Sequence, residues 1–368
     1  MAPLPSQTTP PSRPLSHSLT LRPSPSPTRI FLRSQFRTTP LRNPPVSLAR
    51  RTALITGASS GLGYHAARHL LSLSLSRLIL AVRSTAKGEA AAAELRAAFP
   101  AAVVEVWEVE MGDYESIVGF VRRVEGEFGN TGAEGEDGGK RRLDVVILNA
   151  GLAGSEFVRN PRTGHCEVVQ VNYLGTMLLA VLLMPVLRDR TGERAGRLTI
   201  VGSGGVFQAK LPNRGARPFL KSFDDLAVQP WDALERYYSS KVLGMLFFVR
   251  LLEYLPPAEE LVVNMVDPGL CKGTELHRES KGLMGAVLSA VKALTGRSLD
   301  DGAWTYVDAA VVKGKESHGC FVMDWKVYPF YYAVYEPEGP ELMDTLFEET
   351  MAELEFAGVR RILQSLRK

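Results

Sequence analysis

From Arg51 onward, short apolar runs alternate with longer segments of helical period. The runs are TALIT (52–56), RLILAV (77–82), VVEVWEV (103–109), DVVIL (144–148), RLTIV (197–201), LVVNMV (261–266) and GCFVM (319–323). Between them lie stretches such as CEVVQVNYLGTMLLAVLLMPVL and ALERYYSSKVLGMLFFVRLLEYL, whose apolar residues recur at helical spacing. Strands apolar on both faces and separated by helices require a parallel sheet covered on both sides. The pattern predicts one doubly wound α/β domain, of the Rossmann kind, over residues 51–368, with about seven strands. The Gly- and Glu-rich stretch 129–142 reads as a surface loop inserted before the fourth strand.

Composition narrows the function. The chain is 45% hydrophobic and 23% charged. No apolar run reaches the roughly 18 residues of a membrane span, since the longest, from Leu174, is interrupted by Pro185. The formal charge of +3 comes from the first 50 residues, which hold seven Arg and no acid; the remainder has 36 basic and 40 acidic residues. A mildly acidic body without a basic stripe argues against nucleic acid as a partner. Cys166, Cys271 and Cys320 lie far apart without metal-ligand spacing, so no metal is expected and all three read as reduced thiols of an intracellular protein.

Residues 1–50 contain eleven Pro, eight Ser and six Thr, a composition that predicts a disordered leader. An acid-free, Arg- and Ser-rich leader also fits a transit peptide, although its prolines oppose an amphipathic presequence helix. Localisation is therefore expected to be cytoplasmic, or organellar if the leader is a targeting signal.

After the first strand the chain reads TGASSGLG (56–63). Gly57 suits a tight turn, Gly61 a close backbone approach to a phosphate, and Gly63 the packing of helix on strand. Ser59, Ser60 and Leu62 complete the turn, whose following helix offers free N–H groups to a pyrophosphate. An ordinary strand-to-helix loop is the structural alternative, because the spacing is not G-x-G-x-x-G. At the end of the second strand, where an NAD-preferring fold places an acid, the chain carries Arg83. A guanidinium there suits a 2′-phosphate and so NADP; a solvent-exposed strand-end arginine is the alternative.

Tyr237 and Lys241 stand four apart on a predicted helix and share one face. An ammonium beside a phenol lowers its pKa toward working pH, as acid–base chemistry on carbonyls and alcohols requires. Ser203 ends the fifth strand, Asn149-Ala150-Gly151 ends the fourth, and Asn172 lies in the helix that follows. Strand carboxyl ends form the ligand rim of such a sheet. Each also has a plainer reading, as a turn serine, an Asx turn or a bridging asparagine in a packed helix.

Together these residues resemble the short-chain dehydrogenase/reductases of the compact type, over residues 52 to about 325. TGASSGLG is similar to that family's cofactor motif, NAG (149–151) to its adenine-side motif, and Asn172, Ser203, Tyr237 and Lys241 to its catalytic four. SFDDL (222–226), the segment after Tyr237, and SHGCFVMD (317–324) resemble the retinol-dehydrogenase-like and protochlorophyllide-reductase-like branch. The resemblance implies that Tyr237 donates a proton to the substrate oxygen and Ser203 hydrogen-bonds it. It likewise implies that Lys241 tunes the tyrosine and binds the nicotinamide ribose, that Asn172 holds a proton-passing water, and that hydride comes from NADPH.

Two departures are visible: Glu110-Met111 stands where many members carry Asp-Leu facing the adenine, and in DPGLCKGTEL Thr274 follows Pro268 and Gly269 one residue late. Substrate selection falls in the segments 204–236, with Phe207, Phe219, Phe223 and Trp231, and 270–303, where KGLMGAVLSAVKALTG suggests a lid helix. These predict a bulky hydrophobic carbonyl or alcohol, as in secondary metabolism, with core packing as the alternative use of the aromatics. A catalytically silent dinucleotide-binding regulator or a subunit of a biosynthetic complex are the rival functions, and a homodimer is compatible with either an enzyme or a regulator.

Overall fold

The computed structural model describes residues 16–24, 26–36, 38, 42–129, 141–273 and 295–367. Eight strands form one sheet in the order β3-β2-β1-β4-β5-β6-β7-β8. They are β1 (Thr52–Thr56), β2 (Arg77–Val82), β3 (Val103–Glu108), β4 (Val145–Leu148), β5 (Gly196–Val201), β6 (Leu261–Asp267), β7 (Phe321–Met323) and β8 (Lys326–Tyr328). The pairings β1–β2, β2–β3, β1–β4, β4–β5, β5–β6 and β6–β7 are all parallel.

Side chains alternate across the strands, as period two demands. Leu54, Val146 and Leu198 enter one core, whereas Ala53, Ile55, Val145 and Ile147 enter the other. The first core also holds the helix Glu167–Leu187, long and apolar enough to cross a membrane but 94% buried in its most apolar window. It is a core helix, with a π-helical turn at Gln170–Gly175. In the second core His69 of the helix Gly61–Ser72 stacks on Trp304 of the helix Leu299–Val307, ring centroids 4.0 Å apart.

The seven expected strands are present, and an eighth is added. β8 runs antiparallel to β7. The hairpin turn consists of Asp324 and Trp325, at φ of 55° and 59°. Both central residues adopt positive φ, as a tight hairpin requires, but neither is the glycine that would announce it.

The leader also differs from expectation. Among the described residues, His17–Thr20 forms one helical turn and Pro27–Phe36 a ten-residue helix. Ser18 Oγ accepts the Phe321 amide proton at 2.9 Å, and the Tyr335 and Tyr332 hydroxyls donate to the carbonyls of Ser18 and Ser24 at 2.7 and 2.9 Å. Hydrogen bonds to residues some 300 positions away, together with Ile30 packed into the first core, hold this segment. Residues 130–140 of the inserted loop and 274–294, most of the expected lid, lie outside the described residues.

Candidate active site

The order of the sheet reverses between β1 and β4, and the site opens at the carboxyl ends of those strands. Thr56 ends β1, and its hydroxyl oxygen accepts the amide protons of Asn149 and Ala150 at 2.9 Å each. Asn149 Nδ2 returns hydrogen bonds to the carbonyls of Thr56 at 2.8 Å and Gly57 at 3.1 Å. The NAG segment is thus clamped to the glycine turn, a role in which Thr56 is an equal partner that sequence reasoning left unassigned.

Each glycine of the turn has its own reason. Gly57 sits at φ +66°. A Cβ on Gly63 would fall 2.6 Å from both Asn149 Nδ2 and the Gly57 carbonyl oxygen, so only hydrogen fits. Gly61, at φ +57°, faces open space, where a Cβ would meet nothing within 4 Å. The helix Gly61–Ser72 has no acid in its first turn, and Ser60 makes no side-chain capping bond to it. The unpaired amides and the positive end of the helix dipole are left for an anion.

At the far wall Arg83 is exposed, with Nε 3.6 Å from Glu110 Oε2. Glu110 Oε1 accepts the Gly112 amide proton at 3.1 Å. Ser84 caps the helix Thr85–Ala98 by accepting from the Lys87 amide. Ser84 and Lys87 line the cavity beside Arg83. Sequence reasoning missed both; the Arg-Ser-x-x-Lys pattern across a helix start was the available signal.

The near wall holds the reactive groups. The helix Ala233–Leu251 is capped by Asp232, whose carboxylate accepts the amide protons of Leu234 and Glu235 at 3.0 Å each. One turn on, Tyr237 and Lys241 are buried side chains on the cavity wall. Ser203, just beyond the end of β5, lies beside the Tyr237 phenol on the cavity wall and accepts the Gly205 amide proton at 3.0 Å. Lys241 Nζ donates to the Val201 carbonyl at 2.9 Å.

The expected lowering of the Tyr237 pKa by Lys241 is not what this arrangement produces. Burial pushes the phenol above its usual value, against the opposing influence of the Ser203 hydroxyl, while burial pulls Lys241 down to about 8. Burial disfavours the charged form of each, so Tyr237 keeps its proton, while a pKa of about 8 leaves Lys241 mostly charged at neutral pH. Asp267, the last residue of β6, is a third ionisable group that the sequence reading overlooked. Burial raises it to about 6, although its Oδ1 accepts the Gly204 amide proton at 2.6 Å. Among the described residues its Oδ2 has no hydrogen-bond partner.

Some expected residues are not at the cavity. Asn172 is committed elsewhere: its Oδ1 accepts the Leu152 amide proton at 2.8 Å, and its Nδ2 donates to the Leu152 carbonyl at 2.8 Å and to Ser240 Oγ at 3.0 Å. It stays a neighbour of the site, since a Cβ on Gly151 would lie 3.1 Å from Asn172 Oδ1 and 3.7 Å from Lys241 Nζ. Phe207, Phe219 and Phe223 are core residues, the packing alternative, and Trp231 packs half-buried against that core. Pro268 and Gly269 line the cavity, with Gly269 at φ +76°. Thr274 lies outside the described residues.

Gly57, Ser59, Ser60, Gly61, Leu62 and Gly63 all face one cavity of about 980 Å³, which runs from Arg83 to Ser203 and Tyr237. That is near the top of the range of about 300–1,000 Å³ for single-ligand pockets. A glycine cradle with uncapped amides at one end and a phenol–hydroxyl pair at the other fits a nicotinamide dinucleotide. Among the described residues no cluster of His, Cys, Asp and Glu could hold a metal ion, and the three cysteines are buried free thiols.

Comparison with known proteins agrees with this geometry. Residues 51–211 match the short chain dehydrogenase family. The chain is 47% identical over 339 residues to the short chain dehydrogenase/reductase mfmJ of Annulohypoxylon moriforme, covering 92% of this chain and 94% of that protein. It is 37% identical over 326 residues to the short chain dehydrogenase virL of Hypocrea virens, covering 88% and 90%. In fold it is similar to levodione reductase, with a TM-score of 0.54 and 19% identity over 75% of this chain and 96% of that one. The chain belongs to the short-chain dehydrogenase/reductase family and is an oxidoreductase built on a Rossmann-type sheet.

Proposed function

We propose that this enzyme interconverts a carbonyl and an alcohol on a bulky hydrophobic substrate, using NADP(H), with Tyr237 as the general acid and base. The observation that carries the reading is the Ser203 hydroxyl beside the Tyr237 phenol at one end of the cavity that has Arg83 at the other. In reduction, Tyr237 gives its proton to the substrate oxygen while Ser203 holds that oxygen in place. The nicotinamide, when bound, supplies the hydride. Lys241 and Asp267 set the charge around the phenol. Arg83, with Ser84 and Lys87 beside it, provides charge-assisted donors suited to a 2′-phosphate. Relatives named as short chain dehydrogenases from Annulohypoxylon, Hypocrea and Aspergillus are compatible with a role in secondary metabolism.

Parallel calorimetric titrations of NADPH and NADH into the full chain and into Arg83→Ala test the cofactor half of this reading. The expected result is NADPH bound about tenfold or more tightly by the parent, a preference that Arg83→Ala largely removes, consistent with the loss of one or two charge-assisted hydrogen bonds. Equal affinities in the parent chain would overturn the NADP assignment.

A further inference from the structure

Five residues of the helix Pro27–Phe36 face the active-site cavity: Pro27, Ile30, Phe31, Ser34 and Gln35. Their spacing of three, one, three and one is a single face of an α-helix. Arg29 and Arg33 lie exposed between them on the other side. The leader thus contributes a continuous, largely apolar surface to a cavity whose other walls come from the sheet and from the helix carrying Tyr237.

The helix is fixed in that position by a buried polar hub. Ser34 Oγ donates to Asp324 Oδ1 at 2.7 Å. Arg297 Nη2 donates to the Ser34 carbonyl and to Thr38 Oγ1, both at 2.9 Å, and Arg297 Nη1 donates to the Pro268 carbonyl at 3.1 Å. Arg297 and Asp324 form an ion pair with side chains only 7% and 9% exposed. One guanidinium therefore joins the leader to the Pro268–Gly269 loop of the site. The helix also packs against the turn Gly204–Gln208 that follows Ser203.

The location matters because three of the aromatics of 204–236 do not supply a substrate surface. Phe207, Phe219 and Phe223 are spent on the core. Ile30 is 4% exposed and packed in the core, leaving the half-buried Phe31 as the large side chain of this helix that a ligand can meet. Leu270 and Met323 line the same cavity.

We propose that the helix Pro27–Phe36 is the substrate-side wall of the active site and that Phe31 determines how large an apolar carbonyl compound the enzyme accepts. This rests on the hydrophobic-substrate reading above. It also makes the leader part of the working enzyme.

The test uses the full chain with saturating NADPH and two ketones of different size, acetophenone and 2-acetylnaphthalene. Binding is measured by calorimetry, and turnover by NADPH oxidation where it occurs. Phe31→Ala is expected to weaken 2-acetylnaphthalene about tenfold, as loss of a large apolar contact implies, and acetophenone much less. Phe31→Leu, which keeps an apolar side chain, is expected to restore most of the affinity. NADPH affinity is expected to stay within about twofold in both variants, which also reports that they fold. Equal behaviour of parent and Phe31→Ala toward both ketones would overturn the wall. A parent chain that binds NADPH but neither ketone would overturn the hydrophobic-carbonyl reading and the wall with it, whereas failure to bind NADPH would strike the cofactor reading itself.

Discussion

Ser203 and Tyr237, separated by a loop and two turns of 3-10 helix in sequence, come together on one cavity wall where the end of β5 faces the helix Ala233–Leu251. β5 fixes one partner and Asp232 caps the helix that fixes the other. The pair is held by the scaffold rather than by a loop, which is what positioning a substrate oxygen requires.

The glycine turn makes separate predictions for neighbouring residues. Gly63→Ala forces a methyl group to within 2.6 Å of Asn149 Nδ2 and the Gly57 carbonyl. Overpacking of this kind costs about 1–3 kcal/mol, and thermal denaturation should show a clear drop in Tm together with weakened NADPH binding. Gly61→Ala meets no atom but must hold positive φ, at about 1 kcal/mol. Its Tm should fall less than that of Gly63→Ala.

His165 predicts a pH window for stability. Burial alone would lower its pKa, but the hydrogen bonds to Asp224 and Glu353, with Nδ1 2.7 Å from Asp224 Oδ2 and Nε2 3.3 Å from Glu353 Oε1, raise it to about 9. A histidine whose folded pKa is raised contributes stability in full below its unfolded value of about 6.5 and loses it as pH rises through the folded value. The Tm difference between the parent and His165→Gln should therefore be largest at pH 6 and shrink toward pH 10. A difference that does not change across that range would contradict the charged, doubly paired histidine.

Asp267 behaves in the opposite chemical sense. Burial raises its folded pKa to about 6, so ionisation above that pH works against the folded state. Asp267→Asn can still accept the Gly204 amide proton and never ionises. It should raise Tm at pH 8 relative to the parent and have little such effect at pH 4, measured on the chain without added nucleotide.

The sheet was legible because its runs are apolar on both faces, a pattern that Leu54 against Ala53 and Ile55 shows in the structure as two separate cores. β8 was hidden because Asp324 and Trp325 make its turn without glycine. The ordered part of the leader was hidden for a different reason: its prolines and serines predict disorder, and the groups that hold it, Arg297 and Asp324 at Ser34, Tyr332 at Ser24 and Tyr335 at Ser18, lie at the other end of the chain. The placement of Tyr237, Lys241 and Ser203 on one cavity could be read from strand ends and helix spacing. Whether Asn172 faced the cavity could not, since spacing does not reveal that Leu152 and Ser240 occupy its carboxamide. Asp267 escaped notice because an acid before Pro-Gly reads as a turn residue until its burial is known.

The most direct test of the central claim compares the parent with Tyr237→Phe, measuring NADPH affinity by calorimetry and ketone-dependent NADPH oxidation on the same preparations. Removal of the proton donor should cut turnover by about 10²–10⁴-fold, the usual contribution of general acid catalysis, while NADPH affinity stays within a few fold. Undiminished turnover in Tyr237→Phe, with nucleotide binding intact, would contradict the assignment of Tyr237 as the acid and the site built around it.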